Sequence, residues 1–273
     1  MCVCVCVCVC VCVETGAWPC HLTFQVLSPP ALDALPAAAE EEAAIEAAAL
    51  VAGPRLRNNR IEDNAGVGVS VADGAAAVVE GNFLRGGGGG GVSFSSGARG
   101  VARKNELQRN GGAQIAISGR GTAPLVVGNA LREAPAAAGV LCSAGARGCV
   151  RSNEIVGAGK AGVRVCEGSS TAVEYNGVRG GGECGISLSS GATSRVAAND
   201  VSRNRKAGVL VWGGETRPLL CRNTVHDGEQ AGIYLYAAAR GVLLRNEVYA
   251  NAGAGVLITE GAQPLLPESM AWL

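Results

Sequence analysis

The stretch "NNRIEDNAGVGVSVADGA", Asn58 to Ala75, is written a second time near the other end of the chain as "RNEVYANAGAGVLITEGA", Arg245 to Ala262. Both carry an Asn, a branched apolar residue two places on, a second Asn, Ala-Gly, an alternating apolar pair and Gly-Ala, all at the same offsets. With Asn59 as marker, the Asn-x-(Ile/Leu/Val) signature recurs at Asn82, Asn105, Asn129, Asn153, Asn176, Asn199, Asn223 and Asn246, at intervals of 23 or 24 residues. Two residues after the markers stand Ile61, Leu84, Leu107, Leu131, Ile155, Val178, Val201, Val225 and Val248. Ten and twelve residues after them come apolar pairs from Val69/Val71 to Val256/Ile258, with Val140/Cys142 displaced by one inserted residue. Three residues before the later markers lies a third apolar column: Val79, Ala102, Val126, Val150, Val173, Val196, Leu220 and Leu243.

Each unit therefore offers three short alternating pulses, and no window sustains the i, i+3, i+4, i+7 spacing of a helix. Such a unit fits one turn of a coil of short strands, each paired in parallel with its counterpart about 4.8 Å away in the next coil. Glycine, 41 residues of 273, suits corners where φ turns positive. The Asn column is expected to take such bends as well, while its amides bond from coil to coil. Parallel crossovers are overwhelmingly right-handed, so the coil should be too. The expected fold class is all-β, a three-sheet right-handed parallel β-helix of about nine coils over residues 55–268. Its first coil needs a cover. "PAAAEEEAAIEAAALVAGP" reads as a capping helix over 37–53, with Pro36 ahead of it, acids in its first half and Gly53-Pro54 at its stop.

The pattern "N-x-I-x-x-N-x-x-x-G-V-x-V-x-x-G-A" resembles the right-handed parallel β-helix repeat of carbohydrate-binding and sugar-processing proteins and of the substrate-binding domain of certain F-box proteins. The resemblance implies the solenoid. For function it implies a range: polysaccharide lyases, hydrolases, uronan epimerases, periplasmic proteins of metal-site maturation, and non-catalytic ubiquitin-ligase adaptors. Fold alone does not choose among them. No F-box-like helical domain is evident ahead of the coils.

Composition narrows the partners. The 23 Lys+Arg balance the 23 Asp+Glu, so no net field draws the chain to nucleic acid or to anionic lipid. Six of the 12 cysteines sit in the low-complexity run "MCVCVCVCVCVCV", residues 1–13, and the others lack CxxC spacing or paired histidines. No metal centre, disulfide framework or cofactor is expected. That run has neither the basic start nor the small-residue cleavage site of a secretory signal and is too short to span a bilayer. The compartment stays open, with an intracellular one slightly favoured by the lack of a signal, and no membrane span is expected. Residues 14–36 read as irregular, and 269–273 as a tail. Ser269 stands where a tenth marker Asn would fall, so a structural repeat segment of a larger protein is one reading.

Chemistry on such a scaffold needs acids, or acids with a base, converging on one outer face. One residue after the markers stand Glu106, Glu154, Asp200 and Glu247, on every second coil and so about 9.6 Å apart. That spacing suits no retaining pair and only marginally an inverting one. Arg85, Arg132 and Arg179 lie diagonally beside them, which reads as a solvated salt ladder. No catalytic residue is assigned. The aromatics say more. In the strands with inward Val209/Val211 and Ile233/Leu235, the outward residues are Leu210, Trp212, Tyr234 and Tyr236, where earlier coils mostly carry Ser, Ala or Arg. His226 and Tyr249 fall outward on the neighbouring sheet and border the same surface. This exposed patch suits a sugar ring or a protein partner, unless Leu265, Leu266 and Trp272 of the tail fold over it. The expected function is therefore a binding module for a glycan or protein partner, with a polysaccharide-acting enzyme as the alternative.

Overall fold

The computed structural model describes residues 53–266. The Cys-Val run, the segment 14–36, all but the last residue of the helix expected over 37–53, and the tail 269–273 lie outside the described residues.

The alternating pulses form strands. Among the described residues there are 28, arranged in three parallel sheets. Sheet A has ten strands, from Arg55–Arg57 to Gln263–Leu265; sheet B has nine, from Arg60–Glu62 to Glu247–Tyr249; sheet C has nine, from Val69–Val71 to Val256–Ile258. Each strand pairs with its counterpart one repeat away. Val201 lies between Val178 and Val225, Val209 between Ile186 and Ile233, and Val196 between Val173 and Leu220. The insertion in the fourth copy is absorbed before the strand Val140–Ser143, where Val140 still faces Ile115 and Val163. The chain is a right-handed parallel β-helix.

The three apolar columns meet along the axis in one continuous core. Branched side chains fit a pleated, fully covered surface, and each buried Val, Ile or Leu contributes about 1.5–3 kcal/mol. The end coils are less covered: Ile61, Val69, Val248 and Val256 are only partly buried. Outside this core, Val78, Val101 and Leu125 face outward from sheet A yet are fully buried, as a small second cluster.

The marker asparagines form an unbroken ladder. Each Nδ2 donates to the Oδ1 of the next marker at 2.9–3.0 Å, from Asn59 through Asn246. The same oxygens accept from the backbone N–H of the preceding marker. One part of the expectation needs correcting. The positive φ falls on the residue before each marker, as at Asn58, Lys104, Ser152, Tyr175 and Arg222, and not on the marker itself. The asparagines are therefore selected by hydrogen bonding, since a buried peptide group without a partner is costly. A second, intermittent Asn column lines the corner between sheets B and C, where the amides of Gly87, Gly181 and Gly228 donate to Asn110, Asn204 and Asn251.

Glycine in the "G-V-x-V" start of the sheet C strands answers to space. A Cβ on Gly185 would stand 2.3 Å from Val201 Cγ1, and one on Gly208 2.3 Å from Val225 Cγ1. The corner is closed too tightly for any side chain.

Candidate functional site

Period-2 alternation turns Leu210 and Trp212 outward from the strand Val209–Trp212, and Tyr234 and Tyr236 from Ile233–Tyr236. Register then sets Leu210 beside Tyr234 and Trp212 beside Tyr236. The Trp212 and Tyr236 rings stack at 6.1 Å between centroids and 17° between planes, and Tyr234 stacks on Tyr236 at 5.0 Å and 26°. All three are half-buried. The Tyr234 hydroxyl and the Thr259 hydroxyl share a 3.2 Å hydrogen bond, which fixes the outer ring of the platform. Burial first, and then the neighbouring Tyr234, Glu260 and Cys184, push the Tyr236 phenol above its ordinary pKa.

Beside this platform runs a groove of about 200 Å³ lined by Trp212, Tyr236, Leu210, Ser187, Cys184 and Ala161 together with Lys160, Arg164, Lys206 and Glu183. The charged lining was not singled out in the sequence. Its signal was present: Lys160, Glu183 and Lys206 each precede a strand-leading glycine by two residues.

His226 and Tyr249 take a different place. They stack on each other in sheet B at 5.0 Å and 13°, and neither lines the groove. The two His226 ring nitrogens face Asp227 at 2.9 Å and Asp200 at 3.0 Å. Partial burial pulls the imidazole's pKa down, but hydrogen bonds to the two carboxylates and their charges outweigh it and raise the pKa above 6.5. The tail residue Leu265 does not cover the aromatic platform. It extends sheet A, in register with Val242, and stays 67% exposed. Trp272 lies outside the described residues.

The outward acids stand where register put them. Glu106, Glu154, Asp200 and Glu247 alternate with Ala130, Gly177 and Thr224 along sheet B. Glu154 is held by Arg132 at 3.1 Å and by Arg179, and Asp200 by His226. These are exposed pairs of small energetic weight, not carboxylates converging on one point.

The profile of the family described as periplasmic copper-binding protein (NosD) matches residues 122–264, just over half of the chain. The chain belongs to the NosD family. A second profile, the right-handed β-helix region, matches residues 44–131. No curated protein sequence matches this NosD-family chain. Among solved structures, a mutant of the periplasmic alginate epimerase AlgG superposes with a TM-score of 0.56 at 13% identity, over 78% of this chain and 73% of that one. The A-module of the Azotobacter vinelandii mannuronan C-5 epimerase AlgE4 does so at 0.53 and 12%, over 79% and 87%. At these identities the likeness is one of fold.

The family's description raises copper, and the described residues do not fit it. Among them no three His, Cys, Asp or Glu side chains gather where a metal ion could sit. Both His226 nitrogens are engaged by different carboxylates, so the three groups do not converge on one point. The thiols are unsuited as well: burial pushes Cys142 up to about 12 and Cys184 up to about 11, whereas a soft metal is bound by thiolate.

Proposed function

We propose that this NosD-family solenoid is a glycan-binding module that uses the lateral face of sheet C at Leu210, Trp212, Tyr234 and Tyr236, without chemistry of its own. The observation that carries this reading is the stacked Trp212–Tyr236–Tyr234 platform beside an open groove. Flat aromatic rings offer a large apolar face at low conformational cost and suit the flat face of a sugar. A polysaccharide-acting enzyme on the same scaffold is the second reading, supported by the presence of Glu183, Lys206 and Tyr236 in the groove. Two features weigh toward binding. Glu183 is the single carboxylate of the lining, where glycoside hydrolysis uses two. Tyr236 carries a phenol, protonated near neutral pH even at its ordinary pKa of about 10, and burial pushes that pKa up, so it is a poor proton acceptor.

The test is the double substitution Trp212→Ser and Tyr236→Ser, which restores the residue found in register at Ser95, Ser118 and Ser189. The variant should melt as the parent does and lose binding to soluble polysaccharides by roughly thirtyfold or more, the weight of a hot-spot aromatic. Early melting with unchanged affinity would make the rings structural. Release of reducing ends or unsaturated sugars by the parent protein would favour the enzyme.

A further inference from the structure

The groove has two unlike ends. Trp212 and Tyr236 lie on the seventh and eighth coils, counted from Asn59, and Lys160 and Arg164 on the fifth. Arg164, Ser187, Leu210 and Tyr234 share one outward column in consecutive strands of sheet C. At about 4.8 Å per coil, Arg164 lies about 14 Å along the axis from Tyr234 and about 10 Å from the coil of Trp212. Lys160, Glu183 and Lys206 run parallel to that column along the neighbouring corner, one per coil. Glu183 engages Lys206 at 3.2 Å. Among the described residues no carboxylate forms an ion pair with Lys160 or Arg164, whereas Arg132, Arg179 and Arg195 of neighbouring coils each have one. The lining thus sets three cations against one carboxylate, and its two cations without a carboxylate partner sit together, both exposed, at the end away from the rings. Between the ends the floor is Ser187 and Cys184, small enough to leave the groove open.

We propose that this groove takes an extended acidic oligosaccharide lying along the solenoid axis. One ring stacks on Trp212 and Tyr236, and the carboxylate or sulfate of a ring further along is held between Lys160 and Arg164. The inference rests on the glycan reading above and names the class of glycan. With a formal net charge of zero, the protein has no net charge to steer a polyanion from afar, so the selection is local. A charge-assisted hydrogen bond to an anion held at a fixed distance from the stacking rings supplies it.

The experiment is calorimetric titration of the full chain with four probes: a galacturonate hexamer, the same hexamer with its carboxyls reduced to alcohols, a sulfated neutral hexamer, and an oligothymidylate of equal charge. The galacturonate or the sulfated hexamer should bind at least about tenfold more tightly than the reduced one, and the better of the two names the anion. Lys160→Ala with Arg164→Ala should remove that preference, bringing the acidic hexamer down to the affinity of the reduced one, and added salt should act in the same direction. Equal affinity for the reduced and acidic hexamers, insensitive to the Lys160/Arg164 pair but lost on substituting Trp212 and Tyr236, overturns this inference and leaves the glycan reading standing. Binding of no hexamer overturns both. Oligothymidylate binding as tightly as the best hexamer overturns the glycan class.

Discussion

Along sheet C, the second and third coils and the seventh and eighth present the same backbone with different letters on it. The early pair carries Ser93, Ser95, Ala116 and Ser118 outward, and the late pair carries Leu210, Trp212, Tyr234 and Tyr236 in the matching places. Behind them the inward residues are interchangeable: Val92, Phe94, Ile115 and Ile117 early, Val209, Val211, Ile233 and Leu235 late, every one at most 1% exposed. Four-residue strands and parallel pairing are retained in both, and Gly91, Gly208 and Gly232 lead three of the four strands, with Gln114 ahead of the other. The solenoid therefore separates two demands on one strand. Alternate residues fix the coil, and the ones between are free to vary with whatever the surface must do.

That separation can be broken from the inside. Ile186→Asp puts a charge into the axial core next to Val163 and Val209, where no partner exists. It should cost about 4 kcal/mol or more and unfold several coils at once, since each relies on its neighbours. Far-UV circular dichroism and a denaturant melt would show it; an unchanged melt would mean that inward and outward are not the distinct classes described. Asn153→Ala tests the corner, which is neither. It strips acceptors from Asn129 and donors from Val126, Arg151 and Asn176, and about 1–3 kcal/mol of stability should go with them. Loss of glycan affinity at unchanged stability would instead assign the ladder to ligand. The smallest effect is expected on the outer face of a late coil. His226→Gln should cost below about 1 kcal/mol, because the pair of carboxylates it meets is largely exposed. Its sign with pH is fixed: the folded pKa lies above 6.5, so the contribution is fully present below that value and fades as pH rises through the folded pKa. Melting curves of parent and variant should converge at alkaline pH, and a gap that widened there would contradict the charged pair.

The interior was legible because a core that repeats every coil writes itself as columns, and one copy with an inserted residue did not hide them. The platform was legible for the same reason, since alternation fixes which way Trp212 and Tyr236 face. The marker's role was half legible. Asn59 and its successors announced a ladder, but the bend belongs to the residue before each of them, where Asn58, Lys104, Tyr175 and Arg222 share no chemistry for a pattern to reveal. Lys160, Glu183 and Lys206 were hidden by the corner. Their letters alternate in sign, and only the folded loop brings them against sheet C.

Every amide in the Asn column hands its N–H to the oxygen of the coil that follows, so all the links run one way. The column is a vectorial thread of dipoles that polarise one another along the axis. A coil joined beyond Asn246 meets an N–H and must answer with an acceptor, whereas one joined ahead of Asn59 meets an oxygen and must answer with a donor. Two such solenoids could continue this thread head to tail, but placed head to head they would set like poles against each other.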